Sequence, residues 1–212
     1  MQLRNLFLAV LCFCLFAGCE KQPEQQRLIM PEIIVAVAPF TQPTQTTELL
    51  SGFIPEDQAA VSKETLNQLD TLFREKLNSQ KDHAYIFLEL TAFDSDMARD
   101  DRGRRSALES WAQLARKAGA DMIIVPQLIE LRERVGSKAG VVSAASVNED
   151  FYLVDARTPA ALVHRTHFSE EQKPLSSDIT RISSFFKRGG GWVSATELAA
   201  EGMDKAVREL GL

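Results

Sequence analysis

Between Val141 and Glu170 the sequence writes two strand patterns back to back. Val141–Val154 and Ala161–Glu170 flank a short turn, Asp155-Ala156-Arg157-Thr158-Pro159-Ala160. Side chains alternate sides along a strand. Phe151 and Leu153 therefore point one way, and Tyr152 and Val154 the other. A connection this short joins strands only in the antiparallel sense. Any fold for this chain must include that hairpin.

The rest of the chain is read around it. Glu32–Phe40, EIIVAVAPF, is a β-branched run closed by Pro39 and predicts a buried strand. Thr41–Pro55 is a polar loop containing Gly52. Glu56–Ser79 has helical spacing, with Val61, Leu66, Leu69, Leu72, Phe73 and Leu77 on one face. Ala84–Thr91 predicts a second strand. After the charged loop Asp94–Arg105, Ser106-Ala107-Leu108-Glu109 matches a capping box. It opens a helix through Leu108, Trp111, Ala112 and Ala115 that stops at Gly119. Asp121–Leu131 predicts a third strand, in which Pro126 argues for an edge position or a bulge. Arg132–Gly140 is a turn region leading into the hairpin. Asp178–Lys187 predicts a short helix with Ile179, Ile182 and Phe186 on one face. Ser194-Ala195-Thr196-Glu197 is a second capping box. It starts a helix to Leu210 whose inner face is Leu198, Ala199, Met203, Ala206 and Leu210. The order β-α-β-α-β-β-β-α-α predicts an α+β (α/β two-layer) fold, a mixed sheet of about five strands with helices packed on it.

The N-terminus has a separate character. Arg4 precedes an apolar run, Leu6–Gly18, of about 13 residues, where a bilayer-spanning helix needs ~20. That is the pattern of a secretory signal. Its end, Leu15-Phe16-Ala17-Gly18-Cys19, resembles the lipobox of bacterial lipoproteins. The resemblance implies cleavage between Gly18 and Cys19 and a Cys19 that carries diacylglyceryl and palmitate-type acyl chains. Cys12 and Cys14 fall in the segment to be removed, so Cys19 becomes the one remaining Cys. No disulfide can then form within the chain, and stability must come from packing. The domain layout is a signal peptide over 1–18, a lipidated Cys and flexible tether over 19–32, and one globular periplasmic domain over 33–212. Glu20-Lys21-Gln22-Pro23-Glu24-Gln25-Gln26-Arg27 is polar, as a tether requires. In enterobacterial lipoproteins an Asp after the Cys favours retention in the inner membrane. Glu20 stands there, so the resemblance implies the outer membrane, facing the periplasm.

The globular part carries a second resemblance. The strand IIVAVAPF, a long helix, a helix ending AGADMIIVPQL and the hairpin FYLVDARTPAALVHRTHFSEEQKPL resemble one periplasmic lipoprotein domain. The curli secretion-channel lipoprotein, the lipoprotein activator of penicillin-binding proteins and the N-terminal domain of the Tol propeller protein share it. The resemblance is strongest to proteobacterial lipoproteins with the same hairpin and a glycine-rich break before the last helix. One departure is Pro159, which stands where such hairpins usually carry Gly after Asp-x-x-Thr.

Chemical motifs are sparse. His164 and His167 lie three apart in a predicted strand, so they point to opposite sides and do not form a metal pair. Asp94-Ser95-Asp96 begins like a calcium loop, but Ala98, Arg99 and Arg105 occupy the positions that need Asp or Asn, Gly and Glu. Ser184-Phe185-Phe186-Lys187 matches S-x-x-K without its companion motifs. Gly189, Gly190 and Gly191 followed by Trp192 read either as a flexible link or as a partner surface with an aromatic anchor. The net charge of −5 and the lack of a basic patch with interleaved aromatics exclude nucleic acid as a partner. No cofactor, metal or catalytic residue is assigned. The expected role is a non-enzymatic interaction or assembly module in the cell envelope. Its partners are the bilayer, through Cys19, and an envelope protein or peptidoglycan. The oligomeric state stays open. The alternatives are a subunit of an outer-membrane secretion or channel assembly, and an enzyme with an unrecognised site.

Overall fold

A computed structural model describes residues 33–80, 83–89, 98–100, 102–137, 140–172 and 191–212. In chain order the elements are β1 (Ile34–Val37), α1 (Lys63–Ser79), β2 (Ala84–Phe87), α2 (Ala107–Lys117), β3 (Met122–Arg132), β4 (Val135–Ser137), β5 (Gly140–Ser143), β6 (Ser146–Asp155), β7 (Ala161–Glu171) and α3 (Ala195–Leu210). Five strands form one mixed sheet in the order β2-β1-β3-β6-β7. β1 runs parallel to β2 and β3, whereas β6 is antiparallel to both β3 and β7. This is the α+β fold expected from the pattern of elements.

The alternation in β6 separates two cores. Phe151 and Leu153 join Val35, Val37, Ile124 and Leu128 beneath α1 and α3. Tyr152 and Val154 join Ala36, Ile123 and Val125 beneath Trp111, Ala112 and Ala115 of α2. The helices thus occupy both faces, and α2 adds a further layer to the two expected. Phe40, Phe73 and Phe151 meet at ring-centroid distances of 6.0, 5.8 and 5.3 Å. Burying each such ring contributes about 1.5–3 kcal/mol.

Local chemistry sets the helix ends. α1 begins at Lys63 with Ser62 as its cap, not at Glu56. The preceding segment is drawn off by Gln58, whose Nε2 donates to the Ile129 carbonyl. At α2 only half of the capping box forms. Ser106 accepts from the Glu109 amide, while the Glu109 carboxylate turns to Arg116 instead. At α3 the box of Ser194 and Glu197 is complete, and Gly211 ends the helix in the left-handed region at φ 71°.

Two strand expectations change. β3, with Pro126 inside it, is the central strand and not an edge. The Ile124 and Pro126 carbonyls accept from the Ala38 and Thr41 amides, so the nitrogen of Pro126 also faces β1. The β1 ladder has already ended there, at Val37, so the missing N–H breaks no ladder bond. The bulge of this strand falls between Leu128 and Glu130. The single strand expected over Val141–Val154 divides in two. β5 pairs with β4 as a separate hairpin, and only β6 joins the main sheet. The turn after β6 contains a cis Thr158–Pro159 bond. The helix expected over Asp178–Lys187, and with it the S-x-x-K motif, lies outside the described residues.

Candidate functional site

The first three strands create a crevice by their connections. The chain leaves β1 for α1 on one face and returns to β2 at the sheet edge. From β2 it passes through α2 on the other face to β3, which lies on the far side of β1. The two crossovers use opposite faces, so a gap opens beyond the carboxyl end of β1, beside the middle of β3. In open sheets with parallel strands this is the usual place for a ligand. A cavity of about 260 Å³ lies there, lined by Phe40, Thr41, Gln42, Pro43, Glu48, Leu66, Trp111 and Gln127.

The polar groups around the crevice are largely fixed. Gln127, 1% exposed, donates from Nε2 to the Glu48 carbonyl and accepts the Leu50 amide on Oε1. Gln42 spans the loop in the same way, donating to the Ala59 carbonyl and accepting the Val61 amide. Glu48 closes a short 3-10 turn, Thr46–Glu48, by accepting the Thr44 and Gln45 amides on Oε2. Asp70 of α1 accepts the Phe40 amide, which fixes the wall of the crevice. Burial raises the Asp70 carboxyl above its usual value, against the Phe40 amide and the Arg74 charge.

From the crevice the loop crosses the sheet on the α2 side as a strap. The buried Asp150 of β6 organises its far end. Both Asp150 oxygens bind Arg165, through Nε and Nη2 at 2.8 and 2.9 Å. Asp150 Oδ1 also meets His167 Nδ1 at 2.9 Å. Tyr152 donates to the Ser51 carbonyl at 3.0 Å and lies 3.3 Å from Asp150. Burial first, and then the Asp150 charge, push the Tyr152 hydroxyl well above its ordinary range. Its role here is that of a fixed donor. With both oxygens of Asp150 occupied, the cluster clamps Ser51 and Gly52 over the sheet and offers no free base.

The other acid of the pair, Glu149, points into the opposite core. It is 0% exposed, and neither carboxylate oxygen has a hydrogen-bond partner among the described residues. It fills a notch at Gly202 of α3, where a Cβ would lie 1.9 Å from Oε1 and 2.7 Å from Phe168. Burial, helped by the Asp150 charge, raises its carboxyl well above the usual glutamate range. Burial thus favours the neutral acid of Glu149 over its carboxylate.

Of the residues singled out in the sequence, Gly18, Cys19, Gly189 and Gly190 lie outside the described residues. Gly191 and Trp192 lead into α3 at the end of the sheet that carries β4 and β5. Trp192 is half-buried, between the two readings of it, and its carbonyl accepts from Arg134. Gln172 binds the Gly191 carbonyl and the Val193 amide, so this entry segment is pinned. His164 and His167 do point to opposite sides, paired with Leu153 and Asp150 respectively. Of the calcium-like loop, residues 94–96 lie outside the described residues. Asp100 binds Arg104, whose bonds lower the Asp100 carboxyl. Among the described residues no cluster of His, Cys, Asp and Glu is placed to hold a metal, and no helix is long and apolar enough to cross a membrane. Thr41, Gln42, Pro43 and Glu48 fall in the polar loop Thr41–Pro55, and His167 is one of the two histidines weighed as metal ligands, but Gln127 and Asp150 were not singled out in the sequence. The available signals were polar residues inside apolar runs, Gln127 in DMIIVPQLIEL and Glu149-Asp150 before FYLV.

Fold and site together define the class: an α+β domain with an open mixed sheet and a crevice at its switch point. No protein-family model matches the chain, and no curated protein matches it. Solved structures do resemble it. They include the PelC dodecamer from Paraburkholderia phytofirmans, 14% identical over 84% of this chain and 87% of that one, with a TM-score of 0.47. They also include lipoprotein GNA1162 from Neisseria meningitidis, 12% identical over 76% and 99%, at 0.37. Protein XCC0632 from Xanthomonas campestris is 9% identical over 86% of each chain, at 0.40. At these values the likeness assigns this chain neither a ligand nor a partner.

Proposed function

We propose that this protein is a lipid-anchored lipoprotein of the bacterial envelope, moored through Cys19 and facing the periplasm from the outer membrane. There it works as a non-enzymatic interaction or assembly module. The observation that carries the reading is the sequence Leu15-Phe16-Ala17-Gly18-Cys19 followed by a polar segment up to β1. Acyl chains on Cys19, at ~0.8 kcal/mol per buried CH₂, hold such a protein on a bilayer.

The direction of the chain supports it. The tether enters at the start of β1, and the described domain begins at Ile33. β3 pairs in parallel with β1 at Val35–Val37 and then runs on, 11 residues in all, a span of about 35 Å. The crevice stands beside Gln127, midway along β3, and at the far end stands the β4–β5 hairpin, whose Val135 and Val142 are 57% and 91% exposed. Residues 19–32 reach at most about 50 Å when fully extended. The hairpin end is thus presented away from the anchored end, within a limited distance of the bilayer; Ile34, Leu162 and Val163 at the anchored end are exposed as well.

The test is in-cell crosslinking from a photoreactive residue at Val142, in the wild type and in Cys19→Ala. The reading expects one reproducible envelope partner in the wild type and its loss when the anchor is removed. A wild-type protein that leaves the membrane fraction in buffer alone, or that captures no discrete partner, contradicts it.

A further inference from the structure

We infer that the crevice beyond β1, beside Gln127 of β3, is a binding site for an aliphatic primary amine, the chemistry of a lysine side chain presented by a partner. The inference goes beyond the anchoring reading and does not depend on it.

The argument starts from the shape. The cavity, about 260 Å³, is large enough to hold a four-carbon chain with its terminal group. Phe40 and Trp111, at 0% and 1% exposure, form rigid aromatic walls, and Leu66 adds an aliphatic one. Such a lining favours a ligand with an apolar stem. The polar groups add a sign. Of the described residues that line the cavity, only Glu48 is charged, and none is a Lys, Arg or His. The Oε2 atom of Glu48 is committed to its own turn, through Thr44 and Gln45. Its Oε1 atom makes no such bond among the described residues, which leaves an acceptor for an ammonium group. Gln127 is held by the strap through one Nε2 hydrogen and Oε1, and no described side chain of the lining carries a positive charge with which to hold an anion. An apolar stem with a cationic head matches both halves of the site, whereas a carboxylate or phosphate head meets only a like charge.

The site also stands apart from the structural clamp. Arg165 and His167 are engaged with Asp150 on β6 and β7, further along the strap. Neither side chain therefore supplies the crevice with an anion site.

The experiment uses the full protein in detergent and reads the indole N–H resonance of Trp111. The chain has two Trp, so Trp192→Phe assigns the signal. The probes are Nα-acetyl-lysine amide, Nα-acetyl-norleucine amide and Nα-acetyl-glutamate amide. The lysine probe is expected to shift the Trp111 signal saturably. It should bind roughly two- to fivefold more tightly than the norleucine probe, the increment of a partly exposed ion pair. The glutamate probe should not saturate. Glu48→Gln keeps an acceptor for the turn, so it should abolish the preference for lysine while norleucine binds unchanged. Leu66→Phe should fill the cavity and weaken both. The inference is overturned if no probe saturates, if the glutamate probe binds as tightly as the lysine probe, or if folded Glu48→Gln retains the preference. Comparison of the three probes on the wild type decides the matter even if a variant fails to fold.

Discussion

Replacing Glu149 by Gln tests the packing between β6 and α3. Glu149 is 0% exposed, lies against Phe168 and the backbone of Gly202, and has no hydrogen-bond partner among the described residues. Its carboxyl is raised by burial in the folded state. In the unfolded chain it titrates near the ordinary glutamate value, about 4.3. Below that value both states hold the proton and Glu149 contributes no pH dependence. Above it, the unfolded state has released the proton while the folded state keeps it. The folded state then binds more protons, so stability falls as pH rises, up to the folded pKa. The slope for one such group approaches about 1.4 kcal/mol per pH unit. Gln is nearly isosteric and cannot ionise. Its amide brings unpartnered donors worth about 1–3 kcal/mol of destabilisation, but that offset does not vary with pH. The assay is urea unfolding of both proteins at pH 4, 5, 6 and 7. The stability of Glu149→Gln relative to wild type should climb from pH 5 upward at close to that slope. A difference that stays constant from pH 4 to 7 would show that Glu149 is solvated or ionised in the folded protein, and would refute the reasoning.

Further expectations follow from the same contacts. Gly202→Ala normally favours a helix, yet here the new Cβ would fall 1.9 Å from Glu149 and 2.7 Å from Phe168. Overpacking of about 1–3 kcal/mol should outweigh the gain, and Glu149→Ala in the same chain should relieve part of it, as thermal unfolding of the single and double variants would show. Tyr152→Phe removes the bond to the Ser51 carbonyl. It should destabilise the fold by about 1 kcal/mol and speed limited proteolysis within residues 44–60. Unchanged cleavage there would mean that the clamp does not hold the strap.

What the sequence makes legible is local. The hairpin, the two faces of β6 and the caps of α3 are each written within a few neighbouring residues, and they appear in the structure. So is the opposed placement of His164 and His167, because strand alternation decides it. Pro126 misleads because its missing N–H matters only against a neighbour. The place where β1 ends, a property of another segment, makes a central position tolerable. The crevice and the strap are hidden for the same reason. Gln127 meets the Glu48 carbonyl across 79 positions, and Tyr152 meets Ser51 across 101. Only topology brings such pairs together. The break between β5 and β6 falls at Ala144 and Ala145, which carry no turn signature.

The central claim is the anchor, and intact-protein mass spectrometry of the native product, followed by sequencing of its N-terminal peptide, tests it most directly. The account predicts a chain that starts at position 19 with diacylglyceryl and acyl groups on that residue. A chain that still carries residues 1–18, or a free thiol on Cys19, would contradict it.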